Sequence, residues 1–166
     1  MLNRRKFLGK SLKGTAGILA LSFMPAGLSA CSKEESNIDT SSMASIGPLN
    51  ELEKGPFPKK VSYKVTVQDG WTEQNLEGFV YLNKTKENEF LIMSPVCTHL
   101  GCIAGEAEES KVTEGIEFYC PCHGGEYDEN GINIGGPPPR PLDVFEGFVK
   151  DNEVYIPILS PTKRTK

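Results

Sequence analysis

The sequence predicts an all-β, mainly antiparallel domain, and three observations predict it. Val61, Tyr63, Val65 and Val67 alternate with polar residues, the period of a strand with one buried face. The pairs Asp69-Gly70, Asn130-Gly131 and Asp151-Asn152 supply turns between such runs. After residue 46 no stretch carries a convincing helical periodicity. Composition agrees, since 17 Gly and 12 Pro in 166 residues favour turns and short strands over long helices. At 38% hydrophobic and 24% charged, the chain suits one domain of ordinary size. A polytopic membrane protein, a collagen-like repeat and a wholly disordered chain are excluded. The net charge of -4 argues against a nucleic-acid binder.

That charge is unevenly spread. Residues 1–30 hold Arg4, Arg5, Lys6, Lys10 and Lys13 and no acid, which leaves 13 of the 18 bases and all 22 acids beyond them. A basic start, an uncharged stretch over 14–30 and small residues at its end make residues 1–30 an export signal. The paired arginines before Phe7-Leu8 resemble a twin-arginine signal, which exports proteins already folded around a cofactor. Its apolar part is interrupted by Pro25 and falls short of the roughly 20 residues a spanning helix needs. It ends in Leu28-Ser29-Ala30-Cys31, which resembles a lipoprotein box with Cys31 as the acylated residue. An uncleaved signal acting as the anchor is the alternative. Either arrangement places the domain on the extracytoplasmic side of a bacterial cytoplasmic membrane, where disulfides persist.

The polar, Ser-rich segment 31–45 reads as a flexible tether with an r.m.s. reach of roughly 20 Å. The domain then spans 46–160. Its first strand covers 61–67 and turns at Asp69-Gly70, and strands over 78–82 and 89–93 pair around the polar 83–88. Short strands follow at 116–119 and 132–134, and the last hairpin joins 142–150 to 153–158 across Asp151-Asn152. Trp71 and the phenylalanines are expected in the core. Glu106, Glu108, Glu109, Glu114 and Glu117 form a solvated face, and residues 161–166, with Lys163, Arg164 and Lys166, a loose basic tail.

Two short loops carry the chemistry. Cys97-Thr98-His99-Leu100-Gly101-Cys102 and Cys120-Pro121-Cys122-His123-Gly124-Gly125 contain both histidines and every cysteine except Cys31. Zinc takes four nitrogen or sulfur ligands in a tetrahedron, so six candidates are too many for one such site. In an oxidising compartment two of the cysteines are free to pair. Cys-x-His and Cys-x-x-His each put a thiolate and an imidazole on one tight turn.

This pattern resembles the Rieske iron–sulfur family, in the disulfide-bearing version of cytochrome bc-type complexes. The family's Cys-Thr-His-Leu-Gly-Cys and Cys-Pro-Cys-His-Gly-Ser agree with this chain at eleven of twelve positions. The resemblance implies the Rieske fold, an antiparallel β-sandwich base with a small cluster-binding subdomain at about 94–140. It also implies one [2Fe–2S] cluster per chain, in which two His replace two Cys on one iron and raise the potential. By position, Cys97 and Cys120 hold the inner iron and His99 and His123 the outer one, while Cys102 and Cys122 form the disulfide. Gly136-Pro137-Pro138-Pro139-Arg140-Pro141-Leu142 looks like the family's proline loop, which shields the cluster from a third side. Leu100, Gly125, Tyr127, Gly136, Pro137 and Pro138 are the implied surroundings, with Tyr127 matching a tyrosine that bonds a ligand sulfur. Gly125 departs from the family, which commonly has a Ser there that donates to a bridging sulfide. Loss of a donor disfavours the reduced cluster and implies a lowered potential, suited to a low-potential quinol such as menaquinol.

The resemblance further implies the electron-transfer subunit of a respiratory quinol:cytochrome c oxidoreductase. There His123 contacts a quinol at a membrane cytochrome b-type subunit and accepts its proton, and the electron passes to a c-type cytochrome. A small Rieske subunit of an exported molybdenum enzyme such as arsenite oxidase is the alternative. A ferredoxin for a ring-hydroxylating dioxygenase conflicts with the signal and the two extra cysteines. No phosphate-binding glycine loop or nucleophile constellation stands out.

Overall fold

The computed structural model describes residues 39–165. The export signal, Cys31 and the tether up to residue 38 lie outside the described residues, and among those described no helix is long and apolar enough to cross a membrane. The chain runs through β1 (Ala44–Pro48), α1 (Leu49–Leu52), β2 (Lys59–Asp69), β3 (Thr72–Lys84), β4 (Phe90–Met93) and β5 (Gly105–Glu106). It continues through α2 (Glu109–Val112), β6 (Phe118–Cys120), β7 (Gly125–Tyr127), β8 (Asn133–Gly135), β9 (Val144–Phe145), β10 (Phe148–Lys150) and β11 (Glu153–Ile156). These form three antiparallel sheets, ordered β1-β11-β10, β2-β3-β4-β9 and β5-β6-β7-β8.

The second sheet is central because both of its faces are covered. Successive side chains on a strand point to opposite sides. On β3, Val80 and Leu82 therefore enter the core shared with the first sheet, where they meet Ala44, Ile46, Val154 and Ile156. Tyr81 between them enters the core shared with the third sheet, beside Phe118, Tyr127 and Leu142. On β4, Ile92 and Met93 divide the same way. The expected alternation of 61–67 is observed on β2, with Tyr63 and Val65 packed toward the first core. Tyr81 ties the two layers together, stacking on Phe118 at 4.1 Å and donating 3.0 Å to the Ala104 carbonyl. Burial, with Glu106 adding repulsion, pushes its phenol up to about 12.

Several expectations need correction. β1 begins at Ala44, inside the segment read as tether, because Ala44 is fully buried and pairs with Ile156. β3 starts at Thr72 rather than 78, since pairing with β2 runs unbroken from Lys59↔Leu82 to Asp69↔Thr72 and holds polar residues that no alternation marks. Trp71 is not in the core; it is 98% exposed at the tip of this hairpin. The expected strand 142–150 splits at Glu146-Gly147: β9 pairs with β4, whereas β10 pairs with β11 across the expected turn. A Cβ at Gly147 would stand 2.9 Å from Ile92 Cδ1, the tip of a side chain that can turn aside, so the corner runs close over β4. The end of the chain is also held, for Thr162 bridges Val144 and Arg164 Nη1 donates 2.7 Å to the Asn130 carbonyl. The two helices are single turns of 4 residues, too short to show a period.

Candidate metal centre

Both chemical loops are built on the same turn. In the first, which leaves β4, the Gly101 amide donates 3.0 Å to the Cys97 carbonyl; in the second, between β6 and β7, the Gly124 amide donates 3.0 Å to the Cys120 carbonyl. Gly101 and Gly124 have φ of 81° and 72°, a region that costs glycine little and side-chain-bearing residues more. Each turn leaves a cysteine at its base and a histidine near its crest. Cys102 and Cys122 join the two crests as a disulfide across a sequence separation of 20.

Cys97 and Cys120 are unpaired and each is only 2% exposed. Burial pushes the Cys120 thiol up, with neighbouring Cys97 acting in the same direction and the backbone N–H groups of Cys122 and His123 against it. A thiolate there requires a compensating positive charge, which a metal supplies. The rings of His99 and His123 approach to 4.8 Å between centroids at 89°. His99 is half-buried and His123 exposed. The Cys102, Cys120 and Cys122 sulfurs lie within 4.8 Å of one another. Two of those three are consumed by the disulfide, so this trio is not itself a ligand set.

The surroundings hold the loops from behind. Tyr127 Oη donates 3.2 Å to Cys97 Sγ and accepts 3.2 Å from the Thr98 amide. Burial, and then the bond to Cys97, pushes the Tyr127 phenol up to about 12. Thr98 Oγ1 donates 2.6 Å to the Arg140 carbonyl, which ties the first loop to the proline-rich segment. Arg140 is ion-paired with Asp143. Asn133 Nδ2 donates 2.9 Å to the Pro138 carbonyl. Gly136, with φ of 75°, presses against the second loop so closely that a Cβ would lie 2.1 Å from the Gly124 carbonyl oxygen. Pro138 is buried, whereas Pro137 and Gly136 are exposed. Leu100 is 72%, Ile103 49% and Val96 41% exposed, an apolar rim on the first loop.

The structure thus brings the twelve residues expected in and around the site within the described region into one end of the domain. Two buried thiols and two converging imidazoles, left over once the disulfide is made, are donor types that a two-iron centre of mixed ligation uses. Thr98, Asn133 and Asp143 join this site without a role that the sequence predicts. Thr98 lay inside the first motif, but nothing in the sequence marks Asn133.

Fold and site together define a small β domain built to hold an inorganic centre between two disulfide-linked loops. Residues 48–146 match the family model of the Rieske [2Fe-2S] domain, and the chain belongs to this family. It is 33% identical over 159 residues to a menaquinol:cytochrome c reductase iron-sulfur subunit of Bacillus subtilis (strain 168), covering 93% of this chain and 91% of that one. It is 32% identical to a protein of the same description from Geobacillus thermodenitrificans, covering 93% and 90%. Among solved structures, a cyanobacterial plasma membrane Rieske protein from Synechocystis PCC 6803 aligns at 26% identity with a TM-score of 0.42, covering 68% of this chain and 96% of that one.

Proposed function

We propose that the chain is the electron-transfer subunit of a cytochrome bc-type quinol:cytochrome c oxidoreductase, a redox subunit that is not catalytic alone. The observation that carries this reading is the convergence of His99 and His123 from two loops that each also hold a buried, unpaired cysteine. The similarity to a menaquinol:cytochrome c reductase subunit over 93% of the chain supports it. Cys97 and Cys120 would hold the inner iron, and His99 and His123 the outer one. When bound, the cluster supplies a one-electron site with a potential between about -150 and +300 mV.

The residues around it divide the remaining work. His123 is exposed and so able to hydrogen-bond a quinol hydroxyl and take up its proton. Leu100, next in the chain to His99 and 72% exposed, offers an apolar contact on the first loop. Tyr127 and the proline-rich loop keep water from the sulfurs and fix the cysteine rotamers. A membrane cytochrome b-type subunit that binds the quinol and a c-type cytochrome that takes the electron are the partners. Menaquinol is the quinol that suits a site where Gly125 offers no hydroxyl donor. The domain is held outside the cytoplasmic membrane by lipidated Cys31 or by the uncleaved signal.

Purification of the full chain in mild detergent tests this. The expected sample is reddish-brown, holds two irons per chain, gives a rhombic EPR signal only on reduction and brings b- and c-type cytochromes with it. A co-purifying molybdopterin subunit would overturn the bc assignment in favour of an exported molybdenum oxidase. A colourless zinc protein would overturn both. Mass spectrometry of the same sample reads Cys31, where a free thiol with residues 1–30 attached rules out lipidation.

A further inference from the structure

The close approach of the proline-rich loop to the second cysteine loop assigns a role to a residue outside the donor set. Gly125 is buried at the start of β7, and a Cβ built on it would lie 2.7 Å from Pro138 Cγ, 3.3 Å from Pro138 Cδ and 3.4 Å from Cys120 Cβ. The first of these is closer than any side chain tolerates, so the pyrrolidine ring of Pro138 already fills the space that a residue at 125 would claim. A proline ring is rigid and donates no hydrogen bond, and cannot turn aside as a long side chain would. Its backbone is held in place as well. Asn133 Nδ2 donates to the Pro138 carbonyl, while Asn133 Oδ1 is buried and accepts no hydrogen bond among the described residues. A buried acceptor without a partner costs free energy, and the bond from Nδ2 to Pro138 offsets part of that cost.

We propose that Gly125 and Pro138, the latter held by Asn133, are a coupled pair that positions the wall over Cys120: the pyrrolidine ring occupies the space a side chain at 125 would claim, so the residue at each position sets what the other admits. The inference rests on the reading of Cys120 as a cluster ligand. It also implies that a serine at 125 is admitted only when residue 138 is shortened. The two positions are then coupled, and single substitutions at either one mislead.

Four full-length proteins purified from membranes test this: wild type, Gly125→Ser, Pro138→Ala and the double variant. Iron per chain, the rate at which a chelator bleaches the visible spectrum, and the midpoint potential are measured on each. Gly125→Ser alone is expected to lose more than half of its iron. Pro138→Ala is expected to keep its iron but bleach several-fold faster, with a raised midpoint, because water reaches the sulfur. The double variant is expected to regain its iron and bleach close to the wild-type rate, while its midpoint stays above wild type because a hydroxyl now faces the site. Asn133→Ala should bleach faster at full loading even if Gly125→Ser yields no folded protein. Full loading of Gly125→Ser, together with unchanged bleaching in Pro138→Ala and Asn133→Ala, would overturn the proposal while leaving the cluster assignment intact. A wild-type protein without two irons per chain would instead defeat the assignment on which it rests.

Discussion

Tyr127 Oη donates a hydrogen bond of 3.2 Å to Cys97 Sγ across a sequence distance of thirty residues. The phenol comes from β7, the sulfur from the loop after β4, and the same oxygen accepts from the Thr98 amide. One hydroxyl therefore locks the rotamer of a proposed ligand and the backbone beside it. A donor to a thiolate favours the more negative, reduced state of the centre it ligates.

Tyr127→Phe should accordingly lower the midpoint potential with little loss of iron. A net hydrogen bond of about 0.5–1.5 kcal/mol, converted at about 59 mV per 1.4 kcal/mol for one electron, gives a shift of roughly 20–60 mV. Redox titration monitored by EPR reads it directly. A midpoint that stays put or rises would show that the bond does not distinguish the two redox states.

The disulfide joins the loops at their crests, so its effect should be felt in stability before function. Closing a loop with a sequence separation of 20 contributes on the order of 3 kcal/mol in the chain-entropy account. The double variant Cys102→Ala, Cys122→Ala should melt lower by on the order of 10 °C. Its iron should also be lost earlier on heating. Calorimetry and visible absorbance on one sample check both, and equal melting of the variant and the wild type would contradict the argument. The double replacement is needed because a single one leaves a new thiol beside Cys120.

What could be read in the sequence divides along a physical line. Metal chemistry restricts residue types at short spacing, so the two loops stand out in the chain, and the family resemblance they carry implies the Cys102–Cys122 disulfide that the structure contains. The strand 61–67 was recognisable because one of its faces is buried, and the turns because they use Gly and Asn. Features set by partners distant in sequence were not. Ala44 belongs to β1 only because Ile156 lies beside it, and residues 72–77 belong to β3 only because β2 runs opposite. The corner at Glu146-Gly147 runs close to Ile92, a partner far away in the chain. Trp71 misled because a large aromatic is usually covered, whereas here a hairpin tip carries it into solvent. The Asn133–Pro138 bond spans 5 residues without any periodic signature.

Tyr81 offers a test of the layering. Its ring stacks on Phe118 while its hydroxyl donates 3.0 Å to the Ala104 carbonyl, joining the central sheet to the subdomain that carries the loops. Tyr81→Phe keeps the stacking and strands a buried carbonyl, which should cost about 1–3 kcal/mol. Tyr81→Ala removes both and should cost about 3–5 kcal/mol. Denaturant unfolding of the two variants measures the difference. Equal losses would mean that the hydroxyl, not the ring, binds the layers.

Glu117 connects stability to pH. Burial first, and then repulsion from Glu129 and Glu106, raise its carboxyl above the ordinary value. An acid whose folded value lies above its unfolded value binds more protons in the folded state, so its ionised form is a liability. That liability is fully present above the raised value and fades as pH falls through it toward the ordinary carboxylate range. Glu117→Gln removes the charge and should melt about 1–3 °C higher than wild type at pH 7. The gain should shrink as the pH is lowered toward 5 and, for the part due to Glu129 and Glu106, as salt is added. Melting curves of both proteins at several pH values and two salt concentrations separate these contributions. A gain independent of pH would assign the effect to packing of the amide, and a lower melting point for the variant at pH 7 would mean that the carboxylate makes a favourable contact that outweighs its burial.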